Sequence, residues 1–171
     1  MQKQGIENYL DDIFILKDEF TDAIDTGMGI LRKYIIKSEN PKKNKDTEHS
    51  RFMKEYESHL VNNLPKKTVE KIVLVVEEIL TNIEEHGHKY DENKSAVIYT
   101  GIFGNCVYVS LQGEGPGYDP SKVRNCCINP DGSVHMGTRG RGHSMIKTLT
   151  DKAIAHNAGR EWYLLFRKDA A

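Results

Sequence analysis

Residues 78–87 read Glu-Ile-Leu-Thr-Asn-Ile-Glu-Glu-His-Gly, and they close a helical pattern that begins near Thr68. Val69, Ile72, Val73, Val76, Leu80 and Ile83 recur at three- and four-residue steps, which gives one apolar face. Glu78, Asn82 and His86 each stand four residues apart. Four residues advance about 40° beyond a full turn, so these side chains form a slowly drifting polar stripe. The stripe runs along the border of the apolar face, beside Val75 and Ile79. A carboxylate, an amide and an imidazole at such a border either face solvent or line a pocket half inside the protein. Spacing alone favours the solvated face. Two glycine clusters further along the chain turn the reading toward the pocket.

Upstream of the central helix, Pro65 breaks a second helical pattern over 51–64, and Thr68 suits an N-cap. That second helix turns Phe52, Tyr56, Leu60 and Val61 inward. Residues 37–50 are polar and lysine-rich, contain Pro41, and read as a loop. The pattern over 21–37 is helical, with Thr21 as N-cap and Ile24, Met28, Leu31, Ile35 and Ile36 buried. Residues 13–16, Ile-Phe-Ile-Leu, fit either a helical turn or a short strand.

Downstream, Gly87 ends the central helix and the period changes to two. Residues 95–103 and 105–112 read as strands joined at Gly104-Asn105, a favoured hairpin turn. The second strand runs into Gly113-Glu114-Gly115-Pro116-Gly117-Tyr118-Asp119-Pro120. Residues 121–139 carry little periodicity, and a loop of that length is usually a functional lid or disordered. Gly140-Arg141-Gly142 then opens a helix through Met145, Ile146, Leu149 and Thr150. Two strands, 153–156 and 161–167, close the chain around Asn157-Ala158-Gly159.

At 171 residues the chain suits one domain, or one domain with an N-terminal extension, divided as 1–64 and 65–171. A net charge of -1 gives no reason to expect nucleic acid or an anionic membrane as partner. The longest apolar run, 72–76, is far too short to span a bilayer. The opening Met-Gln-Lys-Gln-Gly lacks the apolar core of a signal peptide. Cys106, Cys126 and Cys127 are odd in number and two are adjacent, which argues against a disulfide framework and for a reducing cytoplasm. A metal site from Cys126, Cys127, His135 and His143 matches no zinc spacing.

A glycine cluster after a strand is by itself a tight turn. Glycines at a helix start do more: they bare backbone N–H groups where the helix dipole favours an anion. Arg139 and Arg141 flank that point and are suited to phosphate. In this order the motifs resemble those of the GHKL ATPases, the superfamily that includes gyrase and the histidine kinases. Glu78-x-x-x-Asn82-x-x-x-His86-Gly87 resembles their N box, and Gly115-Pro116-Gly117-Tyr118-Asp119-Pro120 resembles the first glycine box. Gly140-Arg141-Gly142-His143-Ser144-Met145-Ile146-Lys147 resembles the second. The Gly-Tyr-Asp-Pro ending and the small size resemble one branch, the anti-sigma factor serine kinases. The likeness covers about 66–168 well and 13–37 loosely.

The resemblance implies an α/β sandwich, a mixed sheet with helices on one face, holding ATP and Mg²⁺. Carried over, Glu78 is the general base or orients the attacking group, and Asn82 binds Mg²⁺ through its amide oxygen. His86, Gly113, Gly115 and Gly117 line the nucleotide pocket, and Arg139, Gly140, Arg141 and Gly142 contact phosphates as 121–139 closes. The chain also departs from the family. Gly113 stands where an aspartate accepts a hydrogen bond from the adenine amine, and Arg160 where a threonine supports that contact. His143 replaces a leucine. Glu114 is next to Gly113 but points the other way on a strand end. Gly113→Asp is therefore expected to tighten ATP more than GTP.

Two functions follow. One is a serine/threonine kinase of the anti-sigma type, cytoplasmic, acting on a small antagonist protein and partnered by that protein or a sigma factor, with a homodimer as one arrangement open to it. The other is a non-catalytic GHKL-fold binding module, or a histidine-phosphotransfer-like protein, with a degenerate nucleotide site. His49 and His59, the histidines of 1–64, read as ordinary surface side chains.

Overall fold

The protein is described here by a computed structural model over residues 30–117 and 142–168. In chain order these hold β1 (Ile30–Lys37), α1 (Glu48–Val61), α2 (Lys66–Asn82), a π-helical turn (Ile83–His88), β2 (Ser95–Phe103), β3 (Cys106–Gly113), α3 (Gly142–Leu149), β4 (Lys152–His156) and β5 (Glu161–Arg167). The strands form one sheet in the order β1-β2-β3-β5-β4.

Alternation decides which way the sheet faces. Ala96, Ile98, Thr100 and Ile102 of β2 are buried, as are Val107, Val109 and Leu111 of β3 and Trp162, Leu164 and Phe166 of β5. All of these except Thr100 belong to one hydrophobic cluster with Phe52, Tyr56 and Leu60 of α1, seven residues of α2 and the following turn, and Ile146 of α3. The three helices therefore lie on the same face, as a two-layer sandwich requires. On the other face Ile154 packs with Tyr108, Tyr163 and Leu165, while Leu31 and Ile35 stay exposed.

Every pairing among the described strands is antiparallel, not mixed. β2–β3 and β4–β5 are hairpins, and a tight hairpin leaves no other option. Gly104 turns the first with φ of +51°, and Asn157, Ala158 and Gly159 turn the second, all with positive φ.

Several elements differ from expectation. Residues 30–37, read as the end of a helix, form β1. Tyr34 and Ile36 face inward, with Tyr34 packed edge-on against Phe52 and Tyr56. The ladder partner, β2 from Ile102 back to Ser95, is far away in sequence and invisible to local periodicity. The expectations for Thr21, Ile24 and Met28 and for 13–16 fall outside the described residues. In α1, Val61 is 57% exposed rather than inward, because it lies about 100° round the helix from Leu60, on the row of exposed Lys54 and Glu57. That helix starts earlier than 51, capped by Thr47, whose hydroxyl accepts from Ser50 N–H at 3.2 Å.

Thr68 is not the cap of α2. The helix begins two residues earlier, behind Pro65, whose extended ψ of 141° sets the entry. Thr68 is fully buried one turn in. At its other end α2 does not stop at Gly87. It widens into the π turn, which Lys89 closes with φ of 56° and an N–H donated to the Glu84 carbonyl. Such turns are rare and frequent at functional sites.

Candidate functional site

Glu78 and Asn82 sit half-buried on the last turns of α2. Asn82 Nδ2 donates to Glu78 Oε1 at 3.0 Å. One of the amide's two N–H donors is spent on this bond, which leaves its oxygen to accept from, or coordinate, other partners. No backbone group takes that N–H, and the pair is not sealed in the core. His86 is exposed on the π turn. Hydrogen bonds there span five residues instead of four, so His86 does not continue the stripe in α-helical register.

The end of that turn meets the glycine loop directly. A Cβ placed on Gly115 would stand 2.7 Å from the Gly87 carbonyl oxygen, and φ at Gly115 is +102°. A Cβ on Gly117 would stand 2.4 Å from the Ala158 carbonyl oxygen and 2.8 Å from Arg160 Cγ, at φ of +75°. Only glycine tolerates both the approach and the dihedral. Arg160 locks this junction: its guanidinium donates to the Gly115 carbonyl at 3.3 Å and to the Asn157 carbonyl at 3.1 Å. The Gly113 N–H donates to the Arg160 carbonyl at 2.7 Å. The residue that departs from the family threonine thus ties the final hairpin to the glycine loop.

A family model for the histidine kinase-like ATPase domain matches residues 44–166. The chain belongs to this family. Membership makes the core an ATP-binding domain of the GHKL type, with the sheet and one-sided helices described above. Among curated proteins none matches significantly.

The histidine kinase-like ATPase fold gives the local geometry its meaning. An asparagine oxygen beside a carboxylate is a hard donor set of the kind Mg²⁺ accepts while keeping water and phosphate ligands. No cluster of three or more His, Cys, Asp or Glu among the described residues could hold a metal on its own. Gly142 opens α3, which packs against α2. Arg139, Gly140 and Arg141 lie outside the described residues, as do Cys126, Cys127 and His135. No helix among the described residues is long and apolar enough to cross a membrane.

The base-recognition side departs further than the sequence suggests. Glu114 accepts from Ser95 N–H at 2.6 Å, so its carboxylate is turned to the start of β2. A Cβ on Gly113 would stand 2.5 Å from Ile83 Cγ2, a branch methyl of a buried side chain. Gly113→Asp therefore does not simply restore an acceptor. It should cost about 1–3 kcal/mol of stability from overpacking, read as a lowered urea midpoint, and the loss should shrink when Ile83→Ala accompanies it.

Sequence reasoning also missed the surroundings of two histidines. His49 is no surface side chain: it is 12% exposed, with Nδ1 2.6 Å from Glu84 Oε2 and Nε2 3.2 Å from Glu77 Oε2. Burial works against its charge, but the bonds and fields of Glu77 and Glu84 overcome it and lift its pKa to about 9. Glu84 lies 35 residues further on, across the contact of α1 with the π turn, and no local pattern announces that pairing. His59 is half-buried, and burial together with Arg32 lowers its pKa.

Proposed function

We propose that this ATPase domain binds Mg²⁺–ATP at the junction of α2 and the glycine loop and acts as a serine/threonine kinase of the anti-sigma type on a small antagonist protein. The observation that carries the reading is the Glu78–Asn82 pair, half-exposed and bonded at 3.0 Å. Bound ATP would supply the phosphoryl group. Asn82 Oδ1 would hold the cation in place. Glu78 would accept the proton of an attacking serine or threonine hydroxyl, and its bond to Asn82 fixes the carboxylate's rotamer beside the cation position. The glycine loop, pinned by Arg160, would present bare backbone to the nucleotide. A regulatory protein, in the cytoplasm, is the partner this chemistry asks for; nucleic acid and membrane are not.

Gly113 supports a second reading, a binding module that holds nucleotide without transferring phosphate or has lost it. The histidine-phosphotransfer version is disfavoured at His49, whose ring nitrogens are both held by carboxylates, and His59 is the histidine of 1–64 on which it would have to rest. Titration calorimetry separates the readings. Wild type should bind ATP with Mg²⁺ and weakly without it, and Asn82→Ala should lose at least about tenfold of the Mg²⁺-dependent affinity. Binding without transfer to any serine-bearing antagonist protein would favour the module, and no binding would overturn both nucleotide readings.

A further inference from the structure

His88 closes the π turn with 0% of its surface exposed. Neither ring nitrogen has a hydrogen-bond partner among the described residues. A buried imidazole always carries at least one N–H and, when neutral, one lone pair, and leaving both unmet is costly. A structural role alone would be served better by leucine or phenylalanine. The ring's position is specific: Nε2 lies 3.3 Å from where a Cβ on Gly113 would stand. β3 offers no side chain there, and an imidazole delivered from the π turn fills the place on that side of the strand.

We propose that His88 is the base-reading residue of the nucleotide site, accepting a hydrogen bond from the exocyclic amine of adenine in place of the absent β3 carboxylate. The proposal rests on the nucleotide-binding reading above and assigns its base selectivity. The ring is covered in the free protein, so the contact forms as the base enters. Among the described residues, the charged groups whose fields act on the ring are Lys94 before β2, Asp91 in the loop after the π turn and Glu114 after β3. Burial, with Lys94 next, holds the His88 pKa below the ordinary histidine value, against the opposing carboxylates. Near neutral pH the ring therefore keeps a lone pair. Once protonated it can only donate, which mismatches the adenine amine and matches the O6 acceptor of guanine.

Base preference should thus depend on pH. Mg²⁺–ATP and Mg²⁺–GTP are titrated calorimetrically onto the whole chain at about pH 8 and at the acid pH where the His88 ring ¹⁵N shifts report a protonated ring. Their affinity ratio cancels phosphate protonation, which both nucleotides share. For wild type the ATP/GTP ratio should fall about tenfold on acidification. His88→Leu should weaken ATP about tenfold at the higher pH and flatten the ratio. His88→Gln, which keeps a donor and an acceptor without titrating, should bind both nucleotides with a pH-independent ratio, and it keeps the test open if His88→Leu folds poorly. The His88 ring ¹⁵N shifts should move on adding ATP and not on adding inorganic triphosphate. Nucleotide binding with one ratio at both pH values in wild type and variants overturns the assignment of His88 alone. No binding of either nucleotide by wild type overturns the nucleotide reading beneath it.

Discussion

Glu78→Gln should leave ATP affinity within about threefold of wild type and slow phosphoryl transfer by about 10²–10⁴-fold, the usual worth of a positioned general base. The substitution isolates basicity from structure. Glutamine keeps a side-chain oxygen to accept the Asn82 N–H now bonded to Glu78 Oε1 at 3.0 Å. It adds no bulk at a half-buried position, so the α2 packing of Val75 and Ile79 is untouched. What it removes is the basicity that the proposed transfer requires for taking the proton from an attacking hydroxyl. Single-turnover transfer from labelled ATP to the phosphoacceptor protein, with affinity measured separately, splits the two effects. Equal losses of affinity and rate would mean Glu78 holds the nucleotide rather than the proton. An unchanged rate would remove it from the chemistry.

The parts of this site that were legible in the sequence are those set by local rules. The apolar stripe of α2 fixes which face is buried, and a four-residue step from Glu78 to Asn82 survives because both lie within the α-helix. The hairpin at Gly104-Asn105 needs only two residues to declare itself, and its strands pair from Phe103–Cys106 to Ala96–Gly113. What stayed hidden depends on long-range partners. β1 is a strand because β2 is there to pair with it, although its leucine and isoleucines also fit helical spacing. The π turn follows from the way residues 83–88 meet β3, and it takes His86 out of register while burying His88. Arg160 looked like the loss of a base contact; its second role, clamping the Gly115 carbonyl, is visible only once the final hairpin folds over the glycine loop. A glycine at 113 reads as a simple omission in one dimension. In three, Ile83 and His88 have moved into the space a side chain would need.

His49→Leu should destabilise the fold by about 3–5 kcal/mol near pH 7, the cost of removing one partner of a buried ion pair. Glu84 is 5% exposed, and the variant would leave its carboxylate facing an aliphatic side chain. His49→Leu combined with Glu84→Leu should recover most of that loss, since exchanging both members of a buried pair for apolar groups is often close to neutral. The pH dependence follows from the raised pKa. Folding lifts the His49 pKa from the ordinary 6.5 to about 9, so the folded state binds its proton more tightly than the unfolded chain does. The contribution is therefore complete below about pH 6.5 and is lost as pH rises through about 9. On the basis of roughly 1.4 kcal/mol per pKa unit it amounts to about 3 kcal/mol. Urea unfolding of wild type should accordingly weaken between about pH 6.5 and 9.5, while His49→Leu shows a flatter curve over the same window and the two converge at the alkaline end. Taking the difference between the two curves removes the tyrosine, lysine and cysteine titrations they share. Parallel curves, with the same gap at both ends of the window, would mean that the imidazole acts by its volume and its neutral hydrogen bonds, and that its charge contributes nothing to holding α1 against the π turn.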